Sequence, residues 1–504
     1  MHGSSECAAN DVSTFSNRTT SSSCSERLTQ TMSLAPNVRR NIIWYGLPRV
    51  ASRAAALLLL PLYTRVLSPG DLGLAMVALA AGGLLNLVVA PGAERLYLHW
   101  AFGPNSTHFP SPSVFGSISI LHIVFLTSSI VLLATWAEPI SVLLLHGVET
   151  FPLYYIILGT AGLISLSTPL RATWRAEHRA DKLAAFEITL ACISVATTLV
   201  GLLWFQAGAV SILLGDLVAY MVLLPLYLRK VVTGLLSGWS WQVGRAVLPE
   251  ASVGLPLSLS GWVFAGFDRI LLGGLAGPEE VGIYAAGYQI GAALMLMSVI
   301  LNKEWQPLIF SFGAQATKQT VQLQTLWQRS LTLCLAVGSL LVFFSGRMVE
   351  SLLESSYADC ATIVPFIVAL AVTQVAHSFL VNFGIVSHNS ATLLRESLLS
   401  VTLFLLASVL FIPYFGASGV AAAGLVARLA GCLYLFLSRW NPFSIDGYLV
   451  LNASVFISCV VSTGLQRESI TELFLGALIF AFAVYQTRQY WIFLGTLSRA
   501  GVES

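Results

Sequence analysis

Fourteen stretches of this chain are long and apolar enough to cross a lipid bilayer. A helix rising about 1.5 Å per residue needs about 20 apolar residues to cover the hydrocarbon core. Such stretches fall at 42–62, 72–92, 114–135, 151–170, 184–205, 208–228, 252–275, 281–302, 329–346, 361–386, 393–413, 416–438, 446–464 and 470–490. No connection between them is long enough to fold as a separate domain, so any activity lies among the helices. Charged residues make up only 10% of the chain, whereas soluble domains carry about 25%. A soluble enzyme, a disordered chain and a nucleic-acid binder are excluded as descriptions of the whole. The expected fold is that of an all-α integral membrane protein with about 14 transmembrane helices, because a helix satisfies its own backbone polar groups in lipid.

Charge placement orients the spans. With the N-terminus cytoplasmic, seventeen Lys and Arg residues fall in cytoplasmic segments, among them Arg171, Arg175, Arg179 and Lys182 between the fourth and fifth spans. The opposite side holds only Arg65, Arg347 and Arg467. By the positive-inside rule both termini are expected in the cytoplasm, which an even number of spans allows. Residues 1–38 form a Ser/Thr-rich tail without the apolar run of a signal peptide. Met32 is a candidate for the biological start. Cys192, Cys334, Cys432 and Cys459 lie in apolar runs, and no C-x-x-C pair or Cys/His cluster suggests a disulfide framework or a metal site.

The chain repeats itself. Gly46-Leu47-Pro48, an apolar stretch and then Ser68-Pro69-Gly70-Asp71-Leu72-Gly73 return as Gly254-Leu255-Pro256, an apolar stretch and Gly277-Pro278-Glu279-Glu280-Val281-Gly282. The offsets are 208 and 209 residues. A duplication after six spans keeps both halves in the same orientation, and parallel repeats in transporters place the substrate site between them. The expected organisation is a disordered tail at 1–38, a first half at 39–230 and a second at 245–440. A C-terminal span pair with a cytoplasmic tail follows at 441–504.

Ionisable residues inside spans are costly and mark cavities or partners. The first span carries Arg49 and Arg53, four residues apart on one helical face. The seventh carries Asp268 and Arg269, the sixth Asp216, the end of the eighth Lys303 and Glu304, and the twelfth Arg428. The tenth is polar at Gln374, His377 and Asn382. Cations on the first and seventh spans, equivalent helices of the two halves, would attract an anion, and guanidinium forks suit phosphate oxygens. The alternatives are that Arg49 and Arg53 snorkel to headgroups, that Lys303 anchors the interface, and that Arg269 pairs with a carboxylate such as Asp216. His377 is expected to be a hydrogen-bonded core histidine. No phosphate-cradling glycine loop, catalytic constellation or cofactor motif is present. Transport driven by an ion gradient, the membrane potential or downhill flow remains.

The opening Asn41-Ile42-Ile43-Trp44-Tyr45-Gly46, continuing through Pro61-Leu62-Tyr63-Thr64-Arg65-Val66-Leu67-Ser68-Pro69 to Leu72-Gly73, resembles the start of bacterial polysaccharide-biosynthesis flippases. So does Asp268-Arg269-Ile270-Leu271-Leu272-Gly273 followed by Val281-Gly282-Ile283-Tyr284. These are lipid-linked oligosaccharide translocases of the O-antigen and exopolysaccharide type, in the multidrug/oligosaccharidyl-lipid/polysaccharide exporter superfamily. The resemblance is dense over about 40–110 and 250–312. It implies two pseudo-symmetric six-helix lobes around a cationic central cavity, alternating access, and a bacterial inner-membrane location. It also implies an undecaprenyl-diphosphate-linked oligosaccharide as substrate, no cofactor, a coupling H+ or Na+, and polysaccharide assembly proteins as partners. Arg49, Arg53, Arg269 and Lys303 would engage the diphosphate, while Asp268 or Asp216 would orient an arginine or carry the coupling ion. The extra C-terminal pair departs from the twelve spans of many members. The competing readings are a cation-coupled drug exporter of the same superfamily, which would favour buried carboxylates, and a membrane polysaccharide polymerase, which would need a large outer loop.

Overall fold

The computed structural model describes residues 54–90, 92–101, 111–145, 151–247, 262–312, 320–387 and 389–438, with three single positions besides. The N-terminal tail, Met32, Arg49, Arg53 and the two C-terminal spans lie outside the described residues. The described regular structure is entirely helical. The first half comprises α1 (Ala54–Val66), α2 (Pro69–Val89), α3 (Ala93–Leu96) and α4 (Ser111–Thr135). It continues through α5 (Ala137–Leu145), α6 (Phe151–Ala176), α7 (Ala180–Leu203), α8 (Ala209–Val222) and α9 (Leu224–Leu236). The second comprises α10 (Asp268–Ala276), α11 (Pro278–Gly291), α12 (Met295–Phe312), α13 (Thr320–Leu352), α14 (Val364–Val386) and α15 (Ser390–Phe436).

Among the described residues, eight helices are long and apolar enough to span a membrane, or nine if the bent pair α8–α9 is one span. Three departures from the hydropathy pattern have local causes. The sixth span bends by 56° between α8 and α9, where Pro225 removes a backbone donor. The eleventh and twelfth spans run together as α15, broken only at Gly416 (φ 52°, ψ −128°), a conformation open to glycine alone. Beyond it Gly419 packs against the Phe411 carbonyl, as in a tight hairpin. The short helix α5, with Pro139 near its start, has no counterpart in the span pattern.

Large apolar side chains such as Leu58, Val124, Leu132, Leu143, Leu406 and Leu410 are exposed, as suits a surface solvated by lipid tails. With lipid as apolar as the core, the helices associate mainly through close packing of small residues. The tightest such contact joins α2 to α11. A Cβ at Gly73 would lie 1.7 Å from the Pro278 carbonyl oxygen, and a Cβ at Gly282 would lie 1.9 Å from that of Pro69. The contact is reciprocal: each repeat copy supplies a glycine to the other's proline. Both helices open with proline in the first turn and acidic residues behind it, Asp71 in one and Glu279 and Glu280 in the other, a favourable start for a helix.

Further ties gather at the same end. The Tyr357 hydroxyl donates to the Leu67 carbonyl (3.0 Å), joining the turn Ser355–Thr362 to the start of α2. Glu280 Oε2 accepts from the Ala417 amide (2.7 Å) and so caps the second arm of α15 beside Gly416. In the first half, Asp71 lies beside Gly208, whose φ of 53° and ψ of −136° nearly repeat those of Gly416. This end of the molecule is the side that the sequence leaves poor in Lys and Arg.

Candidate functional site

Between Trp262 and α10 the chain makes a π-helical turn, Val263–Phe267, a deviation that often marks functional positions. The turn delivers Asp268 and Arg269 as the first residues of α10. Asp268 is buried, and its Oδ2 accepts from the Tyr284 hydroxyl (2.7 Å). Its Oδ1 accepts from the Arg269 backbone amide (2.9 Å) and from Arg269 Nη1 (3.1 Å). The same Nη1 donates to the Ala265 carbonyl (3.1 Å). The guanidinium lies over the Tyr288 ring at 4.8 Å and beside that of Tyr284 at 5.8 Å, within range of cation–π attraction. Its side chain is 15% exposed. A carboxylate and two aromatic faces thus hold one arginine in place, with its charge largely compensated.

Of the other proposed site residues only Asp216 has a described side chain, and it does not face Arg269. Asp216 accepts from Ser194 (2.6 Å) within the first half, so the carboxylate beside Arg269 is Asp268 and not Asp216. Lys303 lies on α12, but its side chain is outside the described residues, as are Arg49 and Arg53 altogether. Of the four proposed phosphate-binding cations, the described residues therefore include one side chain, that of Arg269.

Two sets of charged groups escape a reading of the sequence alone. In the first half Arg171 pairs with Glu187, and Arg175 with Glu94. In the second, His377 on α14 meets Glu396 and Arg428, which lie on the two arms of α15. Glu396 Oε1 is 3.0 Å from His377 Nε2 and accepts from Ser400 (2.7 Å). Arg428 Nη1 is 3.4 Å from His377 Nδ1, and its guanidinium stands 4.2 Å from the Phe264 ring of the π turn. Its Nε is buried with no hydrogen-bond partner. His377 and Arg428 stand out in the sequence only one by one. Glu396, beside Arg395 near the start of a span, reads as part of an interfacial pair, and no local signal joins the three.

A family model described as polysaccharide biosynthesis protein matches residues 38–313, more than half of the chain. The chain belongs to that family. Its fold is similar to a structure of the lipid II flippase MurJ in an inward closed conformation, with a TM-score of 0.69 and 16% identity over 91% of this chain and 100% of that one. It is also similar to an inward-facing multidrug resistance MATE transporter of the MOP superfamily, with a TM-score of 0.55 and 12% identity over 81% and 98% of the two chains. A third similarity is to a mutant of the Vibrio cholerae MATE transporter VcmN, with a TM-score of 0.51 and 16% identity over 85% and 100%. No curated protein matches the sequence. The fold is thus the multi-pass helical fold that these transporters share.

Proposed function

We propose that this protein moves an undecaprenyl-diphosphate-linked oligosaccharide across the bacterial cytoplasmic membrane by alternating access, for surface or exopolysaccharide synthesis. The observation that carries this reading is the extent of the family match: residues 38–313 hold both motif blocks and all six proposed site residues, Arg49, Arg53, Asp216, Asp268, Arg269 and Lys303. A diphosphate calls for cations. Arg269, held by Asp268 and its aromatic neighbours, is placed to exchange the Asp268 carboxylate for a phosphate oxygen, with Arg49, Arg53 and Lys303 completing the set. The two halves act as lobes, with both termini in the cytoplasm, a proton or sodium ion as the coupling ion, and the polyprenyl tail left in lipid.

The test is a deletion strain complemented with wild type, Arg53→Ala or Arg269→Ala, each checked for equal membrane levels. Lipid-linked repeat units accumulating in the inner leaflet of the deletion strain and both mutants, with rescue by wild type alone, supports the reading. Normal surface polysaccharide in the deletion strain, with no redundant flippase present, overturns it and makes drug efflux the next assay. Rescue by both mutants keeps the transport reading and removes the two arginines from diphosphate binding.

A further inference from the structure

The cluster around His377 is not used by the proposed diphosphate site, yet it combines opposite charges and a titratable ring in a nearly closed setting. His377 is 8% exposed and Glu396 3%. The hydrogen-bonding pattern determines the tautomer. A guanidinium is a donor only, so the ring nitrogen facing Arg428, Nδ1, must be the acceptor. Nε2 then carries the proton and donates to Glu396. In this arrangement the ring is neutral, and the one positive charge and the one negative charge of the cluster lie on either side of it.

Adding a proton to that ring changes its relation to Arg428 but not to Glu396. Both nitrogens become donors, so Nδ1–H would face a guanidinium N–H, and two cations would sit in contact in a low-dielectric interior. Nε2 continues to donate to Glu396, now as half of an ion pair. The cluster therefore has two arrangements, with Arg428 on the ring or off it. The titratable or charged groups facing His377 from the packed elements, among the described residues, are Glu396 on the first arm of α15 and Arg428 on the second, with Cys432 a turn beyond. On its own helix Gln374 donates to Ser378, and Asn382 donates to Asn302 of α12. Lys303 and Glu304 follow on α12 with side chains outside the described residues. Among the described residues no three His, Cys, Asp or Glu side chains converge as metal ligands would, and the cation facing Glu396 across the ring is Arg428. The ligand that fits this site is a proton.

A route leads out of the cluster. Phe264, against which Arg428 stands, belongs to the π turn that sets Asp268 and Arg269, and its ring also packs on Phe404 of α15 at 5.6 Å. We propose that His377 is a proton-binding site in which a proton taken from water onto Nδ1 displaces Arg428 and, through Phe264, releases the π turn that carries Asp268 and Arg269. No bond other than N–H is made and no electron is transferred. The proton is returned to water when Arg428 regains the ring. The proposal rests on the alternating-access reading but not on the identity of the cargo.

The experiment uses the full chain in lipid nanodiscs, with spin labels carried by unnatural amino acids at Trp204 and Tyr414. Both positions are exposed, and they stand at the ends of α7 and of the first arm of α15. Pulsed electron resonance gives the distance distribution between about pH 5 and pH 8, the range in which imidazole is the natural switch. Wild type is expected to shift its distribution across that range. His377→Gln, whose amide can still donate to Glu396 and accept from Arg428, is expected to hold the alkaline distribution at every pH. Arg428→Gln, lacking the displaced charge, is expected to lose the shift. A wild type without a shift overturns the proposal, as does a shift that survives in either variant. If His377→Gln does not fold, wild type and Arg428→Gln still decide. Failure of the polysaccharide test would leave this result standing, because no substrate enters the assay.

Discussion

His122 in the first half and His377 in the second are almost equally enclosed, each buried on a membrane-spanning helix. Their partners differ in kind. His122 Nε2 is 2.8 Å from the Ser165 hydroxyl, and its Nδ1 faces the Tyr97 hydroxyl at 3.4 Å, which in turn donates to Ser119 (3.1 Å). Hydroxyl groups rotate and can donate or accept, so this network absorbs either tautomer. A carboxylate and a guanidinium cannot exchange roles. The same side chain at similar burial is therefore a structural crosspiece in one half and a charge-sensitive joint in the other. Depth alone does not make a histidine a switch.

The comparison can be broken most decisively at Glu396. Glu396→Leu takes the acceptor from His377 and Ser400 and leaves the Arg428 charge, on the far side of the ring, without a counter-charge; an uncompensated buried charge typically costs about 3–5 kcal/mol. Thermal unfolding of the detergent-solubilised protein should fall steeply; a midpoint close to wild type would show that the charges are not energetically joined. At the glycine seam, Gly73→Ala or Gly282→Ala places a methyl inside van der Waals contact of a backbone carbonyl that cannot rotate away. Each should open the end that is poor in Lys and Arg, as reported by the 204–414 label distance. Because the two glycines share one interface, the double substitution should add little beyond either single. Strictly additive shifts would mean that the two contacts open independently.

Asp268→Asn comes next. It weakens a charge-assisted hydrogen bond worth about 1.5–3 kcal/mol and frees the Arg269 charge. Complementation should drop more than stability does if that pairing sets the arginine for substrate. Equal losses in both would leave the pair a structural one. The smallest effect is expected at Ser165→Ala, which removes one neutral partner of His122 at about 1 kcal/mol and should leave any pH response of the lobe distance unchanged. A shifted pH response would mean that the first half also carries a titrating joint.

Much of the helical layout was legible because hydropathy is a property of neighbouring residues. The spans at 72–92, 114–135 and 361–386 lie within a few residues of α2, α4 and α14. The bend at Pro225, the turn at Gly416 and the π turn before Asp268 depend on single backbone geometries that an apolar count cannot register. The repeated Ser68–Gly73 and Gly277–Gly282 segments were visible as sequence. Their mutual contact was not, since nothing local signals that segments 209 residues apart in the chain will touch. The same holds for charge. Asp268 and Arg269 are neighbours in sequence and pair as such, whereas His377, Glu396 and Arg428 come from three helical segments and meet only when the arms of α15 fold back on α14.

The reciprocal seam also bears on origin. A half-length ancestor carrying one Pro-x-x-x-Gly segment already holds both sides of the contact, and two copies related by a twofold axis would satisfy it twice. The six spans per half expected from hydropathy would return the chain to the side on which it started, so such copies would insert in the same direction and need no dual topology to meet. Fusion of two such genes would then fix a pairing that a homodimer could make unaided, while the seam itself would stay closed to any side chain larger than glycine's.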